Sequence, residues 1–518
     1  MRNAHAVSGV RAAESALMRL VPEGALMQRA ASGLASACAG LLGSAGGVYG
    51  SRVVVLAGTG DNGGDALYAA ALLAARGASV TAVAAGSRVH EGGAAALRAA
   101  GGRLTAPDGS GPGQAIVAAD LIIDGLLGIG GHGGLREPAA SLAAAADQAE
   151  ALVVAVDLPS GIDADTGEVA GAAIHADVTV TFGTWKPGLL IDPGRTYCGV
   201  TELVDIGLGP HLGPPDVVAA QAADIAAWLP HPDQESDKYR RGVLGLAAGS
   251  DRFTGAAVLS TGGAVHGGAG MVRLVTADAA AAIVRQSWPE VVITTTDAPG
   301  TVDAARTGER IIDVAGRVQA WVAGPGMGTG EASAGLLQAV LMTDVPVLVD
   351  ADGITLLAEN RGLLQRSAPT LITPHAGELS RLLGADRADI EAHRLRFATQ
   401  AAAELGCTVL LKGSTTVIAS PGGDGQPVLV NPTGTPWLAT AGSGDVLSGL
   451  AGAMLAQGLA PAQAAATAAY LHGIAARLAA DGVTYAGPRS ATGAPIGASD
   501  LVGAIPAAIR TLAAPANA

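Results

Sequence analysis

The sequence predicts an α/β protein built from two successive parallel-sheet halves, and three observations carry that expectation. Short runs of Val, Ile and Leu alternate with Ala-rich stretches of helical period, the pattern of strand–helix–strand units. Those runs repeatedly end in Gly, Asp, Ser or Lys, as loops at the C-terminal edge of such a sheet do. The pattern lapses between about 187 and 240 and then restarts, and 518 residues suit two to four domains at roughly 150 each.

Hydrophobic residues make up 49% and aromatics 3%, so the cores must be packed with Ala, Val, Leu and Ile, and 75 glycines imply many tight turns. A net charge of -14 argues against a general nucleic-acid or anionic-membrane binder, because no basic surface could release counterions. Cys38, Cys198 and Cys407 are odd in number and far apart, which fits neither a disulfide framework nor a zinc knuckle and points to a reducing cytoplasm. The first fourteen residues contain no apolar secretion core, so no secretion signal is expected. Lysine is scarce: only Lys186, Lys238 and Lys412 occur, so each is apt to stand where an ammonium is required and a guanidinium would not fit.

In chain order, residues 1 to about 50 read as helical. Arg52–Ala57 is a buried strand, followed by Gly58-Thr59-Gly60-Asp61-Asn62-Gly63-Gly64-Asp65, a helix from Ala66 to about Arg76 and a strand over 78–84. Gly58, Gly60 and Gly63 match the dinucleotide fingerprint, yet no acid follows the second strand, and Asp61 and Asp65 would repel a pyrophosphate. The strand 121–123 ends in Asp124 and a loop, Gly128-Ile129-Gly130-Gly131-His132-Gly133-Gly134. The strand 152–156 ends in Asp157-Leu158-Pro159-Ser160. A single Asp here could be a helix cap or turn residue, but three strand ends together point to a site.

These segments, with Lys186-Pro187-Gly188-Leu189, resemble the NAD(P)H-hydrate epimerase family over residues 5 to 212. The resemblance implies a Rossmann-like fold that interconverts the R and S hydrates of NADH and NADPH. It implies that Asn62, Asp124 and Ser160 hold K+, and that 61–65, 128–134 and Asp157 contact the hydrate. Asp61 departs from the Asn frequent in that family. Either Asp157 or Asp124 could carry the proton as hydroxide leaves and water returns.

Gly209–Pro215 reads as a linker, placing the boundary near 213–220, with domains over 1–213 and 241–518 and a linker over 214–240. The second half restarts at the strand Val243–Ala248, with a helix that Thr254 can cap. Later strands end at Gly324-Pro325-Gly326, Asp350, His375 and Lys412-Gly413-Ser414-Thr415-Thr416. The stretch Val446–Ala476 lacks acidic residues, Lys and Arg, and reads as two core helices broken at Gly458–Pro461 rather than a membrane span. Gly442-Ser443-Gly444 can turn consecutive N–H groups toward an anion at a helix start, and Asp445 places a carboxylate beside them.

Lys412–Thr416 with Gly442–Asp445 resembles the ribokinase-like fold. Adding Gly249-Ser250, Gly255-Ala256-Ala257, Thr373–Glu378 and Asn431-Pro432-Thr433-Gly434, the half resembles the ADP/ATP-dependent NAD(P)H-hydrate dehydratases over 225 to 513. That resemblance implies phosphorylation of the hydrate hydroxyl and elimination, with Mg2+ shielding the nucleotide phosphates. Lys412, Gly413, Ser414, Thr415, Thr416 and Gly444 would bind ADP or ATP. Ala256, Ala257, Gly326, His375 and Asp445 would line the hydrate pocket, with Asp445 as base, although His375 could instead be a helix-start residue or one satisfied in the core. Both halves then serve one repair task, on small-molecule substrates, with Ala- and Gly-rich faces that permit a homo-oligomer. The alternative is a ribokinase-like vitamin-precursor kinase fused to a non-catalytic nucleotide-binding module.

Overall fold

The computed structural model describes residues 1–108, 110–296, 304–422, 425–481 and 493–513, and the chain divides into two compact units after Val217.

The first unit contains α1 (Val7–Met18), α2 (Ala25–Ser44), β1 (Arg52–Ala57), α3 (Asp61–Ala75), β2 (Ser79–Ala84), α4 (Glu91–Ala99), β3 (Arg103–Thr105) and α5 (Ser110–Val117). It continues through β4 (Leu121–Gly125), α6 (Ala139–Asp147), β5 (Leu152–Val156), β6 (Val178–Phe182) and β7 (Val200–Val204). Its seven strands lie in the order β3-β2-β1-β4-β5-β6-β7, and every pair is parallel. That is the doubly wound Rossmann-like order, whose direction of growth reverses between β1 and β4 and opens a crevice at their C-terminal ends. Continuous apolar runs suit strands covered on both faces, and Val55, Leu121, Ile123 and Val154 pack with Ala66, Leu67 and Ala70 of α3 in one core.

The helix α3 begins earlier than the sequence suggests. Asp61 to Asp65 form its first turns rather than a loop, because extended Gly60 is the N-cap and Asp61 complements the helix dipole. Gly63 is required there: a Cβ would stand 2.3 Å from the Gly58 carbonyl oxygen. The strand β6 lies just before, and β7 within, the stretch that reads from sequence as a transition; both are short and adjoin a glycine, Gly183 or Gly199.

The second unit contains α7 (Ala222–Trp228), β8 (Val243–Ala247), α8 (Thr254–His266), β9 (Met271–Thr276), α9 (Asp278–Ser287), β10 (Val292–Thr295), α10 (Ala304–Ala315) and β11 (Ala320–Ala323). Then come α11 (Glu331–Leu341), β12 (Val347–Val349), α12 (Asp352–Glu359), β13 (Thr370–Ile372), α13 (Ala376–Leu383), α14 (Arg387–Ala392), α15 (Arg394–Leu405) and β14 (Thr408–Leu411). The last elements are β15 (Thr416–Ala419), β16 (Val428–Asn431), α16 (Ser443–Ala456), α17 (Pro461–Asp481) and α18 (Ala498–Ala513). Its sheet runs β16-β15-β14-β13-β12-β11-β8-β9-β10. The strands from β13 to β10 are parallel, β13 and β14 pair in parallel, and β15 and β16 add antiparallel at the edge. Growth reverses between β8 and β11.

Val446 to Ala476 forms α16 and α17, broken at Gly458–Pro461 and buried in the main core. No helix among the described residues is long and apolar enough to cross a membrane. Thr254 does not cap α8: it is the first helical residue, and the N-cap is Phe253 without a side-chain hydrogen bond.

Candidate active sites

In the first unit, three strand ends converge on a cavity of about 910 Å³ lined by α1, α3 and the loops after β4, β5 and β6. Asp157 follows β5 in a left-handed conformation at φ 67°. Its Oδ1 accepts hydrogen bonds from Lys186 Nζ, from Thr181 Oγ1 at 3.0 Å and from the Phe182 N–H at 3.2 Å. Lys186 is 1% exposed, and its ammonium also donates to Thr181 Oγ1 and the Phe182 carbonyl, each at 3.0 Å. A buried ion pair this well supplied with partners survives desolvation.

Asp124 is differently placed. It is fully buried and does not line the cavity. Its Oδ1 accepts from Ser160 Oγ at 2.7 Å and the Leu126 N–H at 3.2 Å, and its Oδ2 accepts from the Ser160 N–H at 2.8 Å. Burial lifts its pKa to about 6, with the Ser160 bonds opposing. With both oxygens committed, Asp124 is a poor proton carrier for a cavity ligand, and Asp157 is the better placed of the two acids. Asn62 Nδ2 donates to the Leu127 carbonyl at 3.0 Å, while Ser160 Oγ meets the Leu127 N–H and carbonyl at 2.9 and 3.2 Å. Asn62 and Ser160 thus both meet the Leu127 carbonyl, and Asp124 joins them through Ser160, a cluster whose side-chain and carbonyl oxygens could serve a cation. An all-oxygen set with a single buried acid fits a hard, low-charge cation such as K+. Among the described residues no group of three or more His, Cys, Asp or Glu could hold a metal.

Of the substrate residues expected here, Asp61, Asn62, Asp65, Gly128, Ile129, Gly130, Gly131 and Asp157 line the cavity. Gly63, Gly64, His132, Gly133 and Gly134 do not. Gly63 and Gly64 lie on the buried face of α3, where a Cβ on Gly64 would meet the His90 ring at 2.9 Å. His132 Nδ1 turns instead to Asp163 Oδ2 at 3.2 Å. Glu14, Arg11 and Lys186 line the cavity without having been assigned a role from sequence. Lys186 was flagged by the scarcity of lysine, though without a role, whereas Glu14 lies in an ordinary amphipathic helix and carries no local signal.

In the second unit the start of α16 is the centre. Gly442 is its N-cap at φ 88°, so the amides of the first turn have no helical partners. His472, on α17, shares a 2.9 Å hydrogen bond through Nε2 with the Ser443 carbonyl, and burial lowers its pKa to about 4. A neutral imidazole donating from Nε2 holds this turn in place. Asp445 follows in the first turn, where burial and then Asp350 lift its pKa to about 7, against Lys412. Lys412 Nζ pairs with Asp350 Oδ1 at 2.7 Å and lies 3.7 Å from Glu378 Oε2. Burial opposes the Lys412 ammonium, but Asp350 and Glu378 hold its pKa above the usual lysine value. Ser448 Oγ donates to Asp350 Oδ2 at 2.6 Å, so α16 and β12 are tied together beneath the site.

Lys412 is set by its own backbone, whose N–H donates to the Pro374 carbonyl at 2.8 Å while Arg394 donates to its carbonyl at 2.7 Å. A Cβ on Gly413 would lie 2.1 Å from Arg394 Nη2, whereas one on Gly444 would stand 3.6 Å from Lys412 Nζ. Gly413 and Ser414 are exposed at the sheet edge. Thr415 and Thr416 are buried, because β15 starts at Thr416 and draws both side chains into the fold.

His375 is the N-cap of α13. Its Nδ1 accepts from the Gly377 and Glu378 N–H groups at 2.9 and 3.3 Å, and Glu378 Oε2 accepts from the His375 N–H at 2.8 Å. This is the helix-start role left open from sequence. It leaves Nε2 as the protonated nitrogen, and burial keeps the pKa below the ordinary histidine value. The side chain is 53% exposed, so it can cap and still face a ligand. Gly326 packs on Ala256, where a Cβ would approach to 2.5 Å, and Ala257 is fully buried. Arg477 fixes the Asn431–Gly434 loop by donating to the Thr433 and Gly434 carbonyls at 2.7 Å each.

The comparisons with known proteins follow this division. Residues 244–492 match the family described as NAD(P)H-hydrate dehydratase, and residues 23–188 match the YjeF-related protein N-terminus. The bifunctional NAD(P)H-hydrate repair enzyme Nnr of Mycobacterium tuberculosis is 50% identical over 470 residues, covering 90% of this chain and 92% of its own. Its namesake in Mycobacterium leprae is 47% identical, covering 93% of this chain and 94% of its own. The Bacillus subtilis ADP/ATP-dependent NAD(P)H-hydrate dehydratase, crystallised with ATP and Mg2+, is 29% identical, with a TM-score of 0.46, and covers 56% of this chain and 97% of its own.

Proposed function

The chain belongs to the family of bifunctional NAD(P)H-hydrate repair enzymes, and from that premise we propose how its residues divide the work. The protein epimerises the R and S hydrates of NADH and NADPH, and it dehydrates the S hydrate with an adenine nucleotide and Mg2+.

In the first unit Asp157 exchanges the proton as hydroxyl leaves and water re-adds at the hydrate carbon, stabilising the iminium-like cation between the two events. Lys186 fixes which carboxylate oxygen is engaged, leaving Oδ2 for the substrate. Asp124 keeps the cation-site role with Asn62 and Ser160 and gives up the acid–base one. K+ bound there would order the loop after β4 through Leu127.

In the second unit Asp445 takes the proton from the hydrate hydroxyl as the terminal phosphoryl group is transferred. The amides of 442–444 receive the phosphoryl charge, and Lys412, Gly413, Ser414 and Gly444 hold the nucleotide phosphates. Thr415 and Thr416 support that turn from within the fold instead of touching the nucleotide. Mg2+, when bound, neutralises phosphate charge. Elimination of phosphate then restores the dihydropyridine ring, and His375 with Gly326 and Ala256 borders the hydrate. Ala257 supports that wall from behind. The buried, unpaired cysteines suit a reducing cytoplasm, and the proposal extends to a homo-oligomer.

The observation that carries this reading is Asp445 at the open first turn of α16 beside the Lys412–Asp350 pair. Asp445→Asn should lower nucleotide-dependent recovery of NADH absorbance from the S hydrate by about 10²–10⁴-fold, as loss of a general base does. Nucleotide affinity, measured by calorimetry, should stay within a few-fold. Full retention of dehydration would remove Asp445 from its role.

A further inference from the structure

The cavity of the first unit contains a second carboxyl group that the preceding account does not use. Asp65, on α3, lines the same cavity as Asp157. Its Oδ1 is shut off from solvent and has no hydrogen-bond partner. Negative charge on that oxygen would go without water or donors, which is costly, and a proton on the carboxyl group relieves the cost. The contrast with Asp157 is sharp, since Oδ1 of Asp157 collects three donors, one of them an ammonium. Two acids in one cavity thus sit in opposite environments, the arrangement that separates an acid from a base.

We infer that Asp65 and Asp157 form the acid–base pair of the epimerisation, trading one proton per turnover at the hydrate carbon. This rests on the epimerase reading above. With the proton on Asp65, the carbon–oxygen bond of the hydrate breaks, the departing hydroxyl takes that proton and leaves as water, and the ring nitrogen's lone pair completes a C=N bond. Water then adds to the other face of the same carbon and gives its proton to Asp157. Atoms and charge balance, and nothing is oxidised or reduced. The reverse epimerisation starts with the proton on Asp157, and cavity water returns it between turnovers.

The charge around Asp65 supports this. Burial, then Asp157, Asp61 and Glu14, lift its pKa to about 8. Besides Asp65, the titratable and charged groups lining the cavity are Arg11 and Glu14 from α1, Glu23 ahead of α2, Asp61 and Tyr68 from α3, His90 ahead of α4, and Asp157 and Lys186. Glu14 is itself pushed up, chiefly by burial and then by Asp157. The cavity therefore disfavours a further negative charge and keeps the proton on Asp65 at neutral pH.

The test uses the full chain and the purified R hydrate of NADH, with the S hydrate followed by chromatography in the absence of nucleotide. Asp65→Asn is expected to lower kcat by about 10²–10⁴-fold, the usual contribution of a general acid or base, with KM nearly unchanged. Asp65→Glu should recover part of that loss. The wild-type rate should fall as pH rises through about 8, because Asp65 then loses its proton. A raised KM with kcat retained would make Asp65 a binding residue and overturn the inference. A wild-type rate flat to pH 9.5 would overturn it without reference to any variant. Absence of epimerisation by the wild-type chain would instead remove the reading beneath it.

Discussion

Lys186 and Lys412 perform the same task in unrelated surroundings. Each ammonium is paired with a carboxylate at the end of a parallel strand, Asp157 or Asp350, and Lys412 has Glu378 nearby as well. Removing one member leaves a buried charge unpaired, which typically costs about 3–5 kcal/mol. Lys186→Met should therefore lower the thermal midpoint of the first unit markedly, and Asp157→Asn introduced alongside should recover part of the loss; simple additivity would contradict the pairing. At Asp445 the sign of the pH effect is fixed. As a base it must be ionised, so dehydration should fall as pH drops below about 7. Lys412 lowers that pKa and Asp350 raises it. Lys412→Met should therefore move the acidic limb of kcat upward in pH, and Asp350→Asn should move it downward. Shifts of the opposite sign would contradict the assigned electrostatics. Scarcity in the sequence flagged both lysines, but it flagged Lys238 equally, and that ammonium lies over the Tyr239 ring 5.3 Å from its centroid. Composition can say that a residue type is unusual; it cannot say which copy is buried.

At the scale of elements, the start of α16 is the most constrained turn. Gly442 needs its left-handed φ of 88°, and a Cβ would meet Leu259 Cδ1 at 2.4 Å. Gly444 faces no such clash. Gly442→Ala should destabilise the second unit by about 1–3 kcal/mol through backbone strain, visible as a lower denaturation midpoint. Gly444→Ala should fold normally yet bind ADP more weakly, because its methyl group would crowd the amides offered to phosphate. Equal stability losses in the two variants would refute this. The strands β1, β4, β5, β8 and β14 and the break between α16 and α17 were legible, being long apolar runs closed by Gly, Pro or a charged residue. The strands β3, β6, β7, β10, β15 and β16 were not. At three to five residues they are about as long as most of the others, but Thr, Glu, Arg or Asn is mixed into each, and their positions depend on neighbours in the sheet. The glycines of α3 read as a loop for a related reason: their packing partner, the Gly58 carbonyl, becomes a partner only once the strand and helix are stacked.

At the scale of the molecule, the division after Val217 gives two switch-point crevices in one chain, each with its own acids. Their separation predicts separable chemistry. With mixed hydrate epimers and excess ADP, the wild-type chain should return nearly all the hydrate to NADH. An Asp157→Ala chain should stop after the S share, apart from slow spontaneous epimerisation, and leave the R epimer detectable by chromatography. Complete recovery at the wild-type rate would mean that epimerisation does not pass through Asp157. The two-sheet plan was legible because hydrophobic period and strand-end chemistry repeat in each half. The depth of Asp124 and the capping geometry of His375 were not, since both are set by residues distant in sequence or by the path of the backbone.

Asp157 and Ala351 are the only described residues other than glycine with a left-handed backbone, at φ 67° and 51°. Both stand at or next to a strand-end acid, and such conformations cost of order 1–3 kcal/mol each. A search for heat-resistant variants would therefore be drawn to Ala351→Gly, which removes the steric penalty without losing a side-chain contact of any size. The same change would free the peptide that aims Asp350 at Lys412. Durability and turnover are thus set against each other at this position, and a more robust enzyme obtained there should be a slower one.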